Sequence, residues 1–287
     1  MSIDTSTEAE SEMTRLQPEL VHRLFDDAAV FPPGAASLPA AIKAHTRYRT
    51  SWFAWTVGPF VLPVTSIEQY RASGAALPLA VTLPSGPKPL AALLDAVDLD
   101  LLAVELCPPA EGGLREMMAA LDAACAGRDL TVSVELPRDN RQSSVLSCLA
   151  GTSYRAKLRT GGAGAESAPD DAELAHTLHA VVSSGVPFKA TAGLHHAVRN
   201  TDPATGFEQH GFLNLLLATD AALGGAQPED LVHILCDRDG PALAAALARW
   251  DADQSVRVRR TFTSFGTCSI HKPLADLEVL GLLRENT

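Results

Sequence analysis

Eight short β-like runs, each followed by an Ala/Leu-rich helical stretch, predict a (β/α)8 TIM barrel with a helical insertion before the last strand. Two further observations support that class. No linker interrupts the alternation, so residues 15–287 read as one domain behind a polar leader at 1–14 that is expected to be disordered. The Gly-rich phosphate turn that follows the first strand of an open doubly wound sheet is missing.

The elements follow in order. The first run covers 28–31 and closes at Pro32-Pro33-Gly34, with a helix over 38–48. The second covers 51–62, interrupted by Gly58-Pro59, with a helix from 66. The third is 79–83, then Pro84-Ser85-Gly86-Pro87 and a helix over 89–97. The fourth, fifth and sixth are 101–106, 130–136 and 154–158, with helices over 112–126, 141–149 and 170–184. The seventh is 186–191, and two or three helices fill 206–250. The eighth is 256–264, with a helix over 273–283. The Gly-, Ala- and Ser-rich stretches 160–169 and 200–206 follow strands and read as βα loops, the segments that carry a barrel's chemistry.

Side chains alternate between faces along a strand. In the fifth run Val132, Val134 and Leu136 share one face, and Thr131, Ser133 and Glu135 the other. The aliphatic face packs on helices, so the polar face points into the barrel. Glu105 holds the same late position in the fourth run. Arg155, Lys157 and Arg159 share a face in the sixth, as do Lys189 and Thr191 in the seventh. Glu105, Glu135, Lys157 and Lys189 therefore fall late in four successive strands. Charge inside a barrel is costly unless it is paired or used. These four are the candidate catalytic groups, and Arg159 is a candidate anion ligand. A buried salt-bridge network without chemistry is the competing reading.

Other candidates lie on the later loops. His195 and His196 are adjacent, so one of them suits an acid/base role. His210 and Asn214 are four apart and would share a helical face. No HxH or HExxH spacing supports a metal, and no organic cofactor is expected. The eighth run ends Ser264-Phe265-Gly266-Thr267-Cys268-Ser269. Ser264, Gly266 and Thr267 are candidate ligands for a substrate phosphate or carboxylate through a hydroxyl-rich turn. Cys268 has no evident base. Asp26 and Asp27 precede the first run, which assigns them to the opposite face.

Composition sets the outer bounds. Hydrophobic residues are 46% and charged residues 20%, enough apolar material for a core. Lys+Arg 23 against Asp+Glu 34 leaves a net charge of −11, which argues against nucleic-acid backbone binding. No apolar run is long enough to cross a membrane. The five scattered cysteines, without a CxxC, fit a reduced cytoplasmic protein. The expected partner is a small anionic substrate, and a homo-oligomer is compatible with a barrel.

The stretch Lys157-Leu158-Arg159-Thr160-Gly161-Gly162 resembles the Lys-Thr-Ser-Thr-Gly strand end of class I aldolases of the deoxyribose-phosphate aldolase type. Lys189-Ala190-Thr191-Ala192-Gly193 is similar to their Lys-Ala-Ser-Gly-Gly strand end, and Gly266-Thr267-Cys268-Ser269 to their later Gly-Thr-Ser phosphate turn. The likeness covers about a fifth of the chain, and the double histidine and the long 200–257 stretch depart from it. The resemblance implies a TIM barrel, Lys157 as Schiff-base amine, Lys189 as neighbouring cation, and a catalytic acid near Glu105. A nearby cation or desolvation would lower the amine's pKa, and Glu105 or Glu135 would shuttle the proton. Three alternatives stand beside this reading. They are a phosphoribosyltransferase-like enzyme, a metal-dependent barrel enzyme on an anionic substrate, and a non-catalytic ligand-binding barrel.

Overall fold

The computed structural model describes residues 16–96, 98–110, 112–162 and 168–285. The leader at 1–14 and part of the loop 160–169 lie outside them. Eight parallel strands close into a barrel: β1 (Phe25–Asp27), β2 (Val57–Pro63), β3 (Leu79–Leu83), β4 (Leu101–Leu106), β5 (Thr131–Glu135), β6 (Arg155–Arg159), β7 (Phe188–Thr191) and β10 (Phe262–Thr267). Each strand bonds its sequence neighbour, and β1 closes the ring by pairing with both β2 and β10. A two-stranded hairpin, β8 (Asn200–Thr201) with β9 (Glu208–Gln209), rides on the loop after β7.

The helices are α1 (Pro18–Val21), α2 (Leu38–Tyr48), α3 (Ile67–Ala72), α4 (Leu90–Asp95), α5 (Leu114–Cys125), α6 (Gln142–Leu149) and α7 (Asp171–Ser183). The predicted insertion is present as α8 (Phe212–Leu223), α9 (Pro228–Cys236) and α10 (Gly240–Leu247), followed by α11 (Ala252–Thr261) and, after β10, α12 (His271–Val279). The core lies between strands and helices. Val132, Val134, Ala156, Leu158, Phe188 and Ala190 alternate along β5–β7 and are fully or almost fully buried. That leaves Ser133, Glu135, Lys157 and Lys189 on the inward face, as the period of two requires.

Several boundaries differ from expectation. The first strand is Phe25–Asp27, and 28–31 forms the turn after it, where Phe31 N–H donates to Ala28 O. Asp26 and Asp27 therefore sit within β1 at its C-terminal half, not at the opposite face. The second strand starts only at Val57, after a 3-10 turn over Ala54–Thr56, and runs unbroken through Gly58-Pro59. The run 256–264 is mostly helix. Residues Ala252–Thr261 form α11, because Asp251 caps its N-terminus by accepting from Gln254 N–H and Ser255 and Val258 give it a buried face. The last strand runs to Thr267, so Ser264 and Gly266 are strand residues and not part of a turn. His210 precedes α8, so it shares no helical face with Asn214.

Candidate active site in the barrel mouth

Register sets the level of the functional groups. Glu135 pairs with Lys157, Lys157 with Lys189, and Lys189 with Ser264, so one ring of inward side chains runs across β5, β6, β7 and β10. Glu105 reaches it from β4 and Asp26 from β1. The result is a continuous chain of opposite charges. Lys189 Nζ donates to Asp26 Oδ2 at 2.6 Å and to Glu105 Oε1 at 2.5 Å. Lys157 Nζ lies 3.1 Å from Glu105 Oε2 and 3.2 Å from Glu135 Oε2. Arg159 closes the chain on Glu135 at 3.3 Å. Ser264 Oγ donates to Asp26 Oδ2 at 2.8 Å.

Three carboxylates thus face three cations, and the group is close to neutral. The side chains of Glu105, Lys189 and Lys157 are 3%, 6% and 7% exposed, while Arg159 is 38% exposed and stands at the rim. Burial alone would raise the Glu105 pKa. The Lys189 and Lys157 ammoniums outweigh it and hold the carboxyl at about 2. Burial alone would lower both lysines. For Lys189 the outweighing charges are Asp26 and Glu105, for Lys157 they are Glu105 and Glu135, and both pKa values are raised. The expectation that a neighbouring cation or desolvation lowers the amine pKa is therefore overturned: each lysine has two carboxylates within 3.2 Å of its Nζ, and their charges outweigh burial. Glu135 is held low by Lys157 and Arg159 against its own burial.

Glycine makes room for this group. A Cβ built on Gly58 would collide with Asp26 Oδ1, so the Asp26 carboxylate lies directly over the β2 backbone. The turns after β6 and β7 touch each other in the same way. A Cβ on Gly161 would come within 2.8 Å of Gly193 Cα, and Gly193 itself has φ +99°. Thr160 Oγ1 donates to Ala192 O at 2.6 Å and locks the two turns together.

The other sequence candidates fall elsewhere. His195 is buried beside Cys268, with Nδ1 3.5 Å from Sγ, so the thiol does have an imidazole neighbour. Burial pushes His195 down to about 4 and Cys268 up, which makes a neutral pair. His196 Nδ1 lies 3.0 Å from Asp276 Oδ2, which also accepts from Ala197 N–H. His210 bonds Pro169 O through Nε2 at 2.9 Å and Arg199 Nη1 through Nδ1 at 3.2 Å. Asn214 accepts from Arg199 N–H and donates to Ile234 O and Asp237 O, so its amide staples the insertion to the loop after β7. Thr267 Oγ1 is engaged with Ser269 of its own turn. Gly266 leaves ordinary contact distance to Thr191 Oγ1.

Sequence reasoning set Asp26 and Asp27 at the opposite face and passed over His45, whose ring meets Asp27 at 2.9 Å with both side chains 1% exposed. The available signal was the apolar-then-acid pattern Leu24-Phe25-Asp26, the same as Val104-Glu105 and Val134-Glu135. Among the described residues no three His, Cys, Asp or Glu side chains converge as a metal-ligand set. A cleft of about 630 Å³ lies between the loop after β4, the start of α5 and α6, and none of its lining residues belongs to the ionised group.

No family model matches this sequence, and no curated protein is significantly similar to it. The closed eight-stranded parallel barrel is shown by the strand order itself. That architecture commonly carries enzymes, with their active sites at the C-terminal ends of the strands. Among the described residues no helix is long and apolar enough to cross a membrane.

Proposed function

We propose that this chain is a lyase of the aldolase-like kind, acting on a small anionic carbonyl compound through a Schiff base on Lys157. The observation that carries the reading is the pairing of Lys157 and Lys189 side by side, with Glu105 bridging their ammonium groups inside the barrel mouth. The strand-end resemblance to class I aldolases agrees with it.

The chemistry follows from charge. A Schiff-base iminium carries a positive charge at the same nitrogen as the resting ammonium. Carboxylates within 3.2 Å of Lys157 Nζ therefore stabilise the iminium as they stabilise the ammonium. The free amine is the costly species, formed when Glu135 or Glu105 takes one proton from Lys157. The amine then attacks the carbonyl carbon, and the carbinolamine loses water to give the iminium. A carboxylate removes a proton from the substrate's β-hydroxyl, the C–C bond breaks, and its electrons enter the iminium as an enamine. Protonation of the enamine carbon and hydrolysis release the second product and the amine. Lys189, fixed between Asp26 and Glu105, keeps its charge throughout. The exposed edge of Arg159 is the group best placed for the substrate's anion.

One observation favours a second reading, in which the lysines bind charge and form no covalent bond: both ammoniums are held charged by two carboxylates each. Borohydride trapping with aldehydes, 2-oxo acids and sugar phosphates separates the two. A substrate-dependent mass increase mapped to Lys157, absent in Lys157→Arg, is expected. Turnover of a carbonyl substrate without any trapped adduct would sink the covalent reading.

A further inference from the structure

The hairpin β8–β9 belongs to the loop after β7, so it stands on the C-terminal face of the barrel beside the strand end that presents Lys189. A buried histidine, an arginine and a carboxylate fasten it there. His210, directly after β9, is 1% exposed. Its Nε2 lies 2.9 Å from Pro169 O and its Nδ1 3.2 Å from Arg199 Nη1. Arg199 also reaches Asp171 Oδ2 at 3.1 Å, in the first turn of α7, and Glu208 Oε2 at 3.3 Å, in β9. Arg238, after α9, holds the same Glu208 oxygen. The Arg199 side chain is therefore the link between α7 and the hairpin.

These partners fix the protonation state of His210. A carbonyl only accepts, so Nε2 carries the ring hydrogen and donates it to Pro169 O. A guanidinium only donates, so Nδ1 presents its lone pair to Arg199. The imidazole is neutral in this arrangement, and a proton can enter only at Nδ1. Its arrival sets a donor against a donor, and the contact with Arg199 must break. An acceptor stands ready. Asp171 Oδ1 is 3.4 Å from Nδ1, is buried, and has no hydrogen-bond partner among the described residues. A buried oxygen without a donor is unfavourable, and Nδ1–H is the donor it lacks. The remaining charge near the ring is Asp170, whose Oδ1 accepts Glu173 N–H at the start of α7. Burial, and then the Arg199 charge, hold His210 below its ordinary 6.5 against the Pro169 carbonyl and the two aspartates.

We infer that His210 is a proton switch for the hairpin β8–β9: in mild acid its Nδ1 exchanges Arg199 for Asp171 Oδ1, Arg199 is displaced, and the hairpin loosens from the rim of the mouth. The switch does not depend on the chemistry proposed for the lysines.

The test is long-range ¹H–¹⁵N NMR of the whole chain carrying ¹⁵N-histidine, with amide exchange as the second readout. Two amides report on the hairpin: Arg199 N–H, which donates to Asn214 Oδ1, and Asp202 N–H, which donates to Phe207 O. At pH 8 His210 should show the Nε2–H tautomer. Between pH 7 and 4 its Nδ1 should become protonated. Above that midpoint, exchange of both amides, corrected for the intrinsic rate, should rise about tenfold per pH unit lost, because one proton separates the two arrangements. Asp171→Asn removes the carboxylate that receives the proton's bond and should move the midpoint at least about one unit lower. His210→Gln should abolish the pH dependence of the corrected exchange, and His195→Gln should keep it. An Nδ1–H tautomer at pH 8, a His210 that does not titrate between pH 7 and 4, or the same pH-dependent exchange in His210→Gln overturns the switch.

Discussion

Glu105 is the residue on which the mouth depends, because one carboxylate serves two ammoniums. Removing its charge leaves Lys157 with Glu135 and Lys189 with Asp26, and both buried cations lose half of their compensation. Glu105→Gln is expected to destabilise the fold by about 3–5 kcal/mol, the usual cost of breaking a buried ion pair from one side. Chemical denaturation of that variant and of Glu105→Gln/Lys157→Met checks it. The double variant should recover part of the loss, since it removes a cation together with its acid. The raised Lys157 pKa makes a separate prediction. Below that pKa the free amine becomes about tenfold more abundant per pH unit, so the borohydride trapping rate should climb with slope near one from pH 7 to 9. A flat profile would mean that Lys157 is not the attacking amine.

Elements decide where these residues can stand. The strand ends of β6 and β7 carry Thr160-Gly161 and Ala192-Gly193, and their backbones approach so closely that neither glycine tolerates a Cβ. Gly193→Ala adds a second penalty through its positive φ. We expect it to cost about 2 kcal/mol or more and to lower activity by displacing Lys189 and Lys157 together. Measured stability and trapping yield should fall in parallel. A variant of full stability and full yield would show that the two turns can separate without harm. The glycines of these two strand ends thus have a packing reason of their own, whatever chemistry the lysines perform.

For the whole molecule, the charges spread over β1, β4, β5, β6 and β7 make stability a function of pH. Glu105 is held at about 2 against an ordinary 4.5, so its contribution is complete above 4.5 and lost as pH falls through about 2. His195 is pushed down to about 4 from 6.5, so the unfolded chain binds the extra proton between those values and stability declines over that window. Lys189 is raised above its ordinary 10.5, so its contribution is complete below 10.5 and lost as pH rises through the folded value. Urea midpoints across pH should therefore show a broad plateau from about 6.5 to 10.5 with falls on both sides. His195→Gln should flatten the first part of the acid fall, and a variant that leaves that limb unchanged would remove His195 from the account.

Much of this was legible along the chain. Periodicity located five of the eight strands, β3 to β7, within about two residues, and it assigned the inward face of β5 and β6 correctly. Local hydrogen-bond geometry and side-chain alternation repeat every few residues, so one sequence window contains the information. It failed at the first and last strands. A three-residue strand has no period to read, and the valines before β10 were claimed by a helix through the Asp251 cap and the packing of Val258. Lys157, Lys189, Glu105 and Glu135 could be chosen from sequence because each falls late in its own strand. Which carboxylate meets which lysine could not. Asp26 joins Lys189 across 163 positions of sequence and Glu105 joins it across 84. Only closure of the ring, which sets β1 beside β10 and two strands from β7, brings them within bonding distance. The same closure reverses the sign of the lysine pKa shifts. Charge depends on distance in space, and that distance exists only in the folded barrel.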